Sequence, residues 1–274
     1  MMPQGSPTIV LVSSSKDPAG ENLAREMVEN QGFASTRIAF RGRPVYQKDS
    51  LLLATIDEEI IRPPNLDDYF NPQAYIFLSK HRAKSGVPSL TAHTTGNFGA
   101  AELGGNPREI GRVNPDLLKN YLISLAKQGE AVSGYQVTAE ATHHGPTSLN
   151  RPVLFVEIGS EEKNWNDRDA AKAVASALLQ SLREARSWDK VAVGFGGTHY
   201  PEKFNKLLLE DEFAFAAIVP KYSLQEVDSA IFGQILQKST KLPRYALLDW
   251  KGLGPEKDKI VGLVGQYGLE AVRV

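Results

Sequence analysis

Five histidines and no cysteine are what this chain has for imidazole and thiol chemistry. Every histidine falls in a short polar or glycine-rich segment beside an apolar run. The segments are Ser79-Lys80-His81-Arg82, Thr91-Ala92-His93-Thr94-Thr95-Gly96-Asn97, Ala141-Thr142-His143-His144-Gly145-Pro146-Thr147 and Gly194-Phe195-Gly196-Gly197-Thr198-His199-Tyr200. Imidazole moves protons near neutral pH and binds zinc. Without thiolates, zinc must be held by His, Asp or Glu, the ligand set of catalytic rather than structural sites. Five histidines in one kind of context predict a single site, and its chemistry reads as hydrolytic.

The loop from Gly194 to His199 is the most informative of these segments. Three glycines within four positions let the backbone approach a ligand closely or take a positive φ. Pro201 follows, so Thr198-His199-Tyr200 lies near a helix N-terminus, which favours a phosphate, a carboxylate or a developing oxyanion. The spacing lacks the third glycine of a dinucleotide-binding turn. His143 and His144 are adjacent, and neighbours diverge in regular structure, so one reads as ligand or base and the other as its supporting partner. Glu157 follows a buried strand and must be paired, metal-bound or functional; a structural ion pair fits it as well as catalysis does. No HExxH motif is present, and Ser13-Ser14-Ser15 lacks the G-x-S-x-G context of a serine nucleophile.

Apolar runs alternate with helical stretches, the pattern of an α/β fold. Strands are expected at residues 8–12, 51–56, 75–78, 152–158, 191–193, 213–219 and 245–250, with 271–274 closing the sheet as an edge. A helix runs through Leu23, Met27 and Val28. Asp167 caps a long one bearing Val174, Leu178 and Leu182, and Pro201 opens another through Phe204, Leu207 and Leu208. Ser223 is read as the cap of a helix containing Val227, Ile231 and Ile235, and Pro255 starts the last. The expectation is a single α/β domain over residues 1–274 with an irregular, loop-rich insertion around 91–115. Ligands in open α/β sheets bind beyond the carboxyl ends of strands, so the runs entering Lys80-His81-Arg82, His93, Glu157 and His199 are expected to converge.

The totals bound the partners. Of 274 residues, 31 are Lys or Arg and 32 Asp or Glu, for a net charge of −1, which argues against a general nucleic-acid coat. Two stretches offer a local basic face or ordinary solvated loops: Arg37, Arg41, Arg43 and Lys48, and Lys80, Arg82 and Lys84. No run reaches membrane-spanning length, and the start lacks the basic and apolar segments of a secretory signal. A soluble cytoplasmic protein, with no membrane and no obligate protein partner, is the expectation.

At these segments the sequence resembles the archaeal and plant type of D-aminoacyl-tRNA deacylase. The likeness is carried by Leu11-Val12-Ser13-Ser14-Ser15-Lys16-Asp17-Pro18-Ala19-Gly20-Glu21-Asn22, the stretches from Ser79 to His81, Thr91 to Asn97 and Ala141 to Thr147, Phe155-Val156-Glu157-Ile158-Gly159-Ser160, and Gly196-Gly197-Thr198-His199-Tyr200, in order along nearly the whole chain. It implies a mixed, largely parallel sheet flanked by helices, like phosphorylases and peptidyl-tRNA hydrolases. It also implies a zinc-dependent enzyme that hydrolyses the ester between a D-amino acid and the acceptor end of tRNA. Under it, His93, His144 and His199 hold zinc with Glu157 as ligand or base, and His81 and His143 support them or transfer protons. Thr198, Gly196 and Gly197 grip the ester carbonyl or terminal phosphate. Lys80, Arg82 and Arg41 meet the acceptor stem, and Asn97 binds substrate. The rivals are a metal-independent enzyme like peptidyl-tRNA hydrolase or nucleoside phosphorylase, working through His and Asn97, and a non-catalytic tRNA- or metal-binding module.

Overall fold

The computed structural model describes residues 9–129 and 132–274; Thr8 and the 1–7 start lie outside them. The first half runs β1 (Ile9–Ser14), α1 (Pro18–Glu29), β2 (Ala34–Phe40), β3 (Arg43–Lys48), β4 (Leu51–Ile56), β5 (Ala74–Lys80), β6 (Ser89–His93), β7 (Gly96–Asn97), β8 (Glu109–Ile110), α2 (Pro115–Gly129) and β9 (Gln136–Ala139). The second runs β10 (Val153–Gly159), α3 (Glu162–Trp165), α4 (Arg168–Arg183), β11 (Lys190–Phe195), α5 (Glu202–Glu210), β12 (Phe213–Val219), α6 (Ser229–Gln237), β13 (Tyr245–Leu248), α7 (Lys257–Gln266) and β14 (Glu270–Arg273).

The expected mixed, largely parallel α/β architecture is present, in two main sheets. The large one has the order β2-β3-β4-β1-β5-β10-β6-β9, with β4, β1, β5 and β10 parallel and β6 antiparallel to β10. Its central strands are buried along their length, as continuous apolar runs covered on both faces must be. Leu11, Ile76, Leu78, Leu154 and Val156 face α1, α2 and α4, while Val12, Phe77 and Phe155 point to the opposite face. Alternation puts Glu157 on the Phe155 face. The smaller sheet, β12-β11-β13-β14, is wholly parallel. One face shares the large sheet's core through Ala192, Phe204, Phe215 and Leu247; the other packs Val193 and Phe195 with Phe232 of α6 and Ile260 of α7. The 271–274 strand therefore edges this second sheet.

Asp17 caps α1 by accepting from Gly20 N, and Asp167 caps α4 through Asp169 N and Ala170 N. Ser223 caps nothing. Residues 221–226 form a 3-10 turn that ends where Val227 goes extended, and Asp228 caps α6 through Ala230 N and Ile231 N. The basic 37–48 stretch is a hairpin, not a loop. Its two turn residues, Arg41 and Gly42, both have positive φ (51° and 83°), the backbone that joins twisted antiparallel strands. In the 91–115 region, β7 and β8 pair as a short ladder. No helix among the described residues is long and apolar enough to cross a membrane.

Candidate functional site

All five histidines, with Glu140 and Glu157, gather on the Phe155 face of the large sheet. β5 runs directly into His81, whose amide donates to Ile158 O. β10 carries Glu157. Because β6 is antiparallel to β10, His93 lies opposite Phe155 and stacks on its ring at 5.2 Å. Glu140 continues β9, its amide donating to Ala92 O. The chain then crosses to the second sheet: Ala141 N donates to His199 O and Thr142 N to Ile218 O. That crossing brings the loop after β11, and with it His199, against the large sheet. His144 has φ +41°, uncommon for a side chain with a Cβ. This left-handed step turns its ring back beside that of His143, so neighbours expected to diverge have ring centroids 4.4 Å apart, each within 4.7 Å of His93.

The polar contacts centre on two buried carboxylates, Glu140 and Glu157. Glu140 Oε2 lies 2.7 Å from His199 Nε2 and 3.7 Å from His143 Nε2, and its Oε1 lies 3.1 Å from His81 Nδ1. Glu157 is 3.3 Å from His81 Nδ1 and 3.8 Å from His93 Nε2. His81 Nε2 meets the Tyr200 hydroxyl. Burial opposes charge on His81, but its contacts with Glu140 and Glu157 prevail and raise its pKa to about 11. Burial likewise resists ionisation of Glu140; contacts with His199 and His81 prevail and hold it well below the usual carboxylate range. Glu157 is lowered in the same way by His81 and His93, and His93 is raised against its burial by Glu157. Burial and neighbouring imidazoles push His143 well down and His144 down to about 4, leaving both neutral at physiological pH.

The donor set fits a metal ion. His93, His143 and His144 each turn Nδ1 to a backbone carbonyl, of Thr94, Ala141 and Gly145, at 3.1, 2.8 and 2.7 Å. That bond fixes the tautomer and leaves Nε2 as a lone-pair donor, the arrangement metal-binding imidazoles adopt. His93 Nε2 and both oxygens of Glu140 are buried without a hydrogen-bond partner; the short Glu140 contacts are close in distance but not aligned for hydrogen bonding. Buried polar atoms left unbonded are costly, and a cation satisfies them. Three donor groups have ligand atoms within 4.8 Å of one another: His93-His143-His144, His81-Glu140-His199 and His93-Glu140-Glu157.

A family model described as D-aminoacyl-tRNA deacylase matches residues 68–272. The chain belongs to the D-aminoacyl-tRNA deacylase family. A relative of that name from Cenarchaeum symbiosum is 38% identical over 263 residues, covering 96% of this chain and 98% of its own. Another, from Pyrococcus furiosus, is 34% identical, with 96% and 99% covered. A crystal structure described as a conserved protein of unknown function superposes with a TM-score of 0.89 at 30% identity, over 98% of this chain and 96% of that one.

In this deacylase-family chain the expected site residues separate into groups. Of the three expected metal ligands, His93 and His144 stand together and His143 joins them, while His199 pairs with His81 through Glu140. Glu140 is the central residue that sequence reasoning passes over. Thr198 faces solvent, and its hydroxyl donates to Tyr200 O, closing the turn. The Gly196 amide is engaged by Val219 O and the Gly197 carbonyl by Lys221 N. The Asn97 side chain donates to Gly104 O and Asn106 O, tying down the 99–106 loop beside His143 and His144. Lys80 and Arg82 rim the cleft over His81, their cations 5.9 and 5.3 Å from the Trp165 ring. Arg41 is paired with Glu58 at 2.5 Å.

Proposed function

We propose that this chain hydrolyses the ester joining a D-amino acid to the 3′ end of tRNA, releasing both, with zinc held in the histidine–carboxylate cluster. The carrying observation is the cluster itself: five histidines gathered around two buried carboxylates, with His93 Nε2 and both Glu140 oxygens buried and unbonded. His93, His143, His144 and Glu140 are the residues that would hold the metal, with Glu157, His81 and His199 beside them. A zinc ion held there would supply Lewis acidity that brings the pKa of water near 7.

The remaining work falls to the chain. The cleft of about 300 Å³ over His81, walled by Ile60, Ile61 and Leu103 with Glu59 and Asp17, receives the aminoacyl group. His81 holds a proton at Nδ1 between Glu140 and Glu157 and contacts the Tyr200 hydroxyl through Nε2. That pair is a path along which a proton can reach the departing ribose oxygen. Lys80 and Arg82 rim this cleft and offer cations to the acceptor end, contacts that position tRNA without reading its sequence. Arg41 contributes only if it leaves Glu58.

The test is release of amino acid from D-tyrosyl-tRNA and L-tyrosyl-tRNA by zinc-replete and chelated protein. Release from the D ester alone, lost on chelation and restored by zinc, is the expected result. Equal rates on both esters would remove the chiral assignment, and full activity after chelation would remove the metal.

A further inference from the structure

Next to the histidine cluster, past the ends of β11 and β13, opens a cavity of about 540 Å³. Gly197 and Thr198 form one wall, the 221–225 turn another, and residues 249–256 the third. Its charges do not cancel. Asp249 is paired with Lys203 at 2.7 Å and Glu256 with Lys259 at 2.5 Å, so both acids are neutralised by cations. Lys221 and Lys251 line the same cavity with no carboxylate partner among the described residues. The pocket is therefore cationic by two charges in a chain whose net charge is −1.

Tyr222 ties this cavity to the chemistry. It is 55% exposed and belongs to the wall shared with the cleft over His143 and His144. Its hydroxyl lies 3.3 Å from His199 Nδ1. An exposed aromatic face at the mouth of a cationic pocket is how proteins hold the unstacked ends of RNA: the base stacks on the ring and lysines take the phosphate. The volume falls in the range of small-ligand pockets, about 300–1,000 Å³. Deacylation also requires the ribose bearing the ester to lie next to the catalytic cluster, so its own base and phosphate must occupy a contiguous space.

We infer that this cavity holds a purine nucleoside monophosphate unit, the terminal adenosine of tRNA. Its base stacks on Tyr222, its phosphate lies between Lys221 and Lys251, and its ribose is directed toward His199. Gln225, on the same turn, offers an amide to the base edge. The inference rests on the deacylase reading and adds to it the place where the acceptor end docks.

The experiment compares D-tyrosyl-tRNA with D-tyrosyl-adenosine, which has the base and ribose but no phosphate, using zinc-replete full-length protein. Tyr222→Ala raises KM on both substrates by about ten- to hundredfold, the range of one lost base–aromatic stack. Tyr222→Phe, which keeps the ring, restores it. The double variant Lys221→Glu, Lys251→Glu raises KM for the tRNA at low salt, and the penalty disappears with D-tyrosyl-adenosine. AMP inhibits tRNA hydrolysis competitively, and Tyr222→Ala weakens that inhibition. Folding of each variant is checked by its melting temperature. Unchanged KM in Tyr222→Ala, or a lysine penalty equal on both substrates, overturns the inference while leaving D-ester hydrolysis standing. Non-competitive AMP assigns the cavity to a free nucleotide and overturns it too. If the parent protein itself releases nothing from D-tyrosyl-tRNA, the deacylase reading falls first and this one with it.

Discussion

Glu140 and His199 come from opposite sheets and meet at 2.7 Å, Oε2 to Nε2, yet neither Glu140 oxygen has an aligned hydrogen bond. In the proposed metal site, a carboxylate this close to three imidazoles, and aligned with none, would share its ligand with them. Glu140→Gln keeps the shape and removes the charge. We expect zinc content to fall and kcat/KM for D-tyrosyl-tRNA to drop by more than about 100-fold. Elemental analysis beside single-turnover kinetics checks both, and a fully active, metal-replete Gln variant would rule out the role.

Metal removal has a second readout, independent of turnover. An ion that binds the folded chain and not the unfolded one stabilises it, by about 4 kcal/mol when free metal is 1,000 times the Kd. Apo protein should melt several degrees lower than the zinc form. Replacing His93 with Ala should erase most of that difference, because its buried Nε2 belongs to two of the three donor groups. Equal melting temperatures with and without zinc in the parent protein would count against a resident metal.

What was legible in the sequence follows the range of the interactions involved. The strands at 51–56, 152–158 and 213–219 declare themselves by local apolar runs, and Asp17 and Asp167 by local capping. Glu157 stands out because a strong apolar strand precedes it. Glu140 follows only Gln136-Val137-Thr138-Ala139, a four-residue strand, and it is buried because residues 141–142 bond to His199 and Ile218 far along the chain. The joint use of His143 and His144 depends on the positive φ of His144, which no side-chain pattern encodes. The sequence leaves Arg41 and Arg43 open between a basic face and ordinary solvated residues, since their counter-ions Glu58 and Asp57 lie one strand further on.

Gly159 tests how closely His81 is held. A Cβ built there would lie 2.8 Å from His81 Cβ and 2.9 Å from Cδ2, inside contact distance. Gly159→Ala must displace the imidazole that joins Glu140 to Glu157, and a shift near 1 Å at a reacting centre costs on the order of 100-fold in rate. Gly262, in α7, has nothing within 4 Å of its built Cβ. Gly262→Ala should therefore leave activity alone and add about 0.5–1 kcal/mol of stability. Urea titration and D-tyrosyl-tRNA hydrolysis on both variants separate the two effects. Equal activity in the pair would show that His81 tolerates displacement.

Lys119 carries a pH dependence that owes nothing to the active site. It is fully buried, and its Nζ donates to Leu208 O and Asp211 O, carbonyls at the C-terminal end of α5 where a cation is favoured. Burial, only partly offset by Asp211 and Glu212, pushes its pKa down to about 8. The unfolded lysine holds its proton until about 10.4, so between those values the unfolded chain binds more protons and stability rises with pH. Below about 8 both forms are protonated and the cost of burying the charge is present in full. Lys119→Met removes the titration along with the two hydrogen bonds. The stability of the parent relative to this variant should therefore increase between pH 7.5 and pH 9.5, measured by urea unfolding at each pH, the endpoints being set about that window. A difference that stays flat, or falls, would mean that Lys119 keeps an ordinary pKa in the folded state.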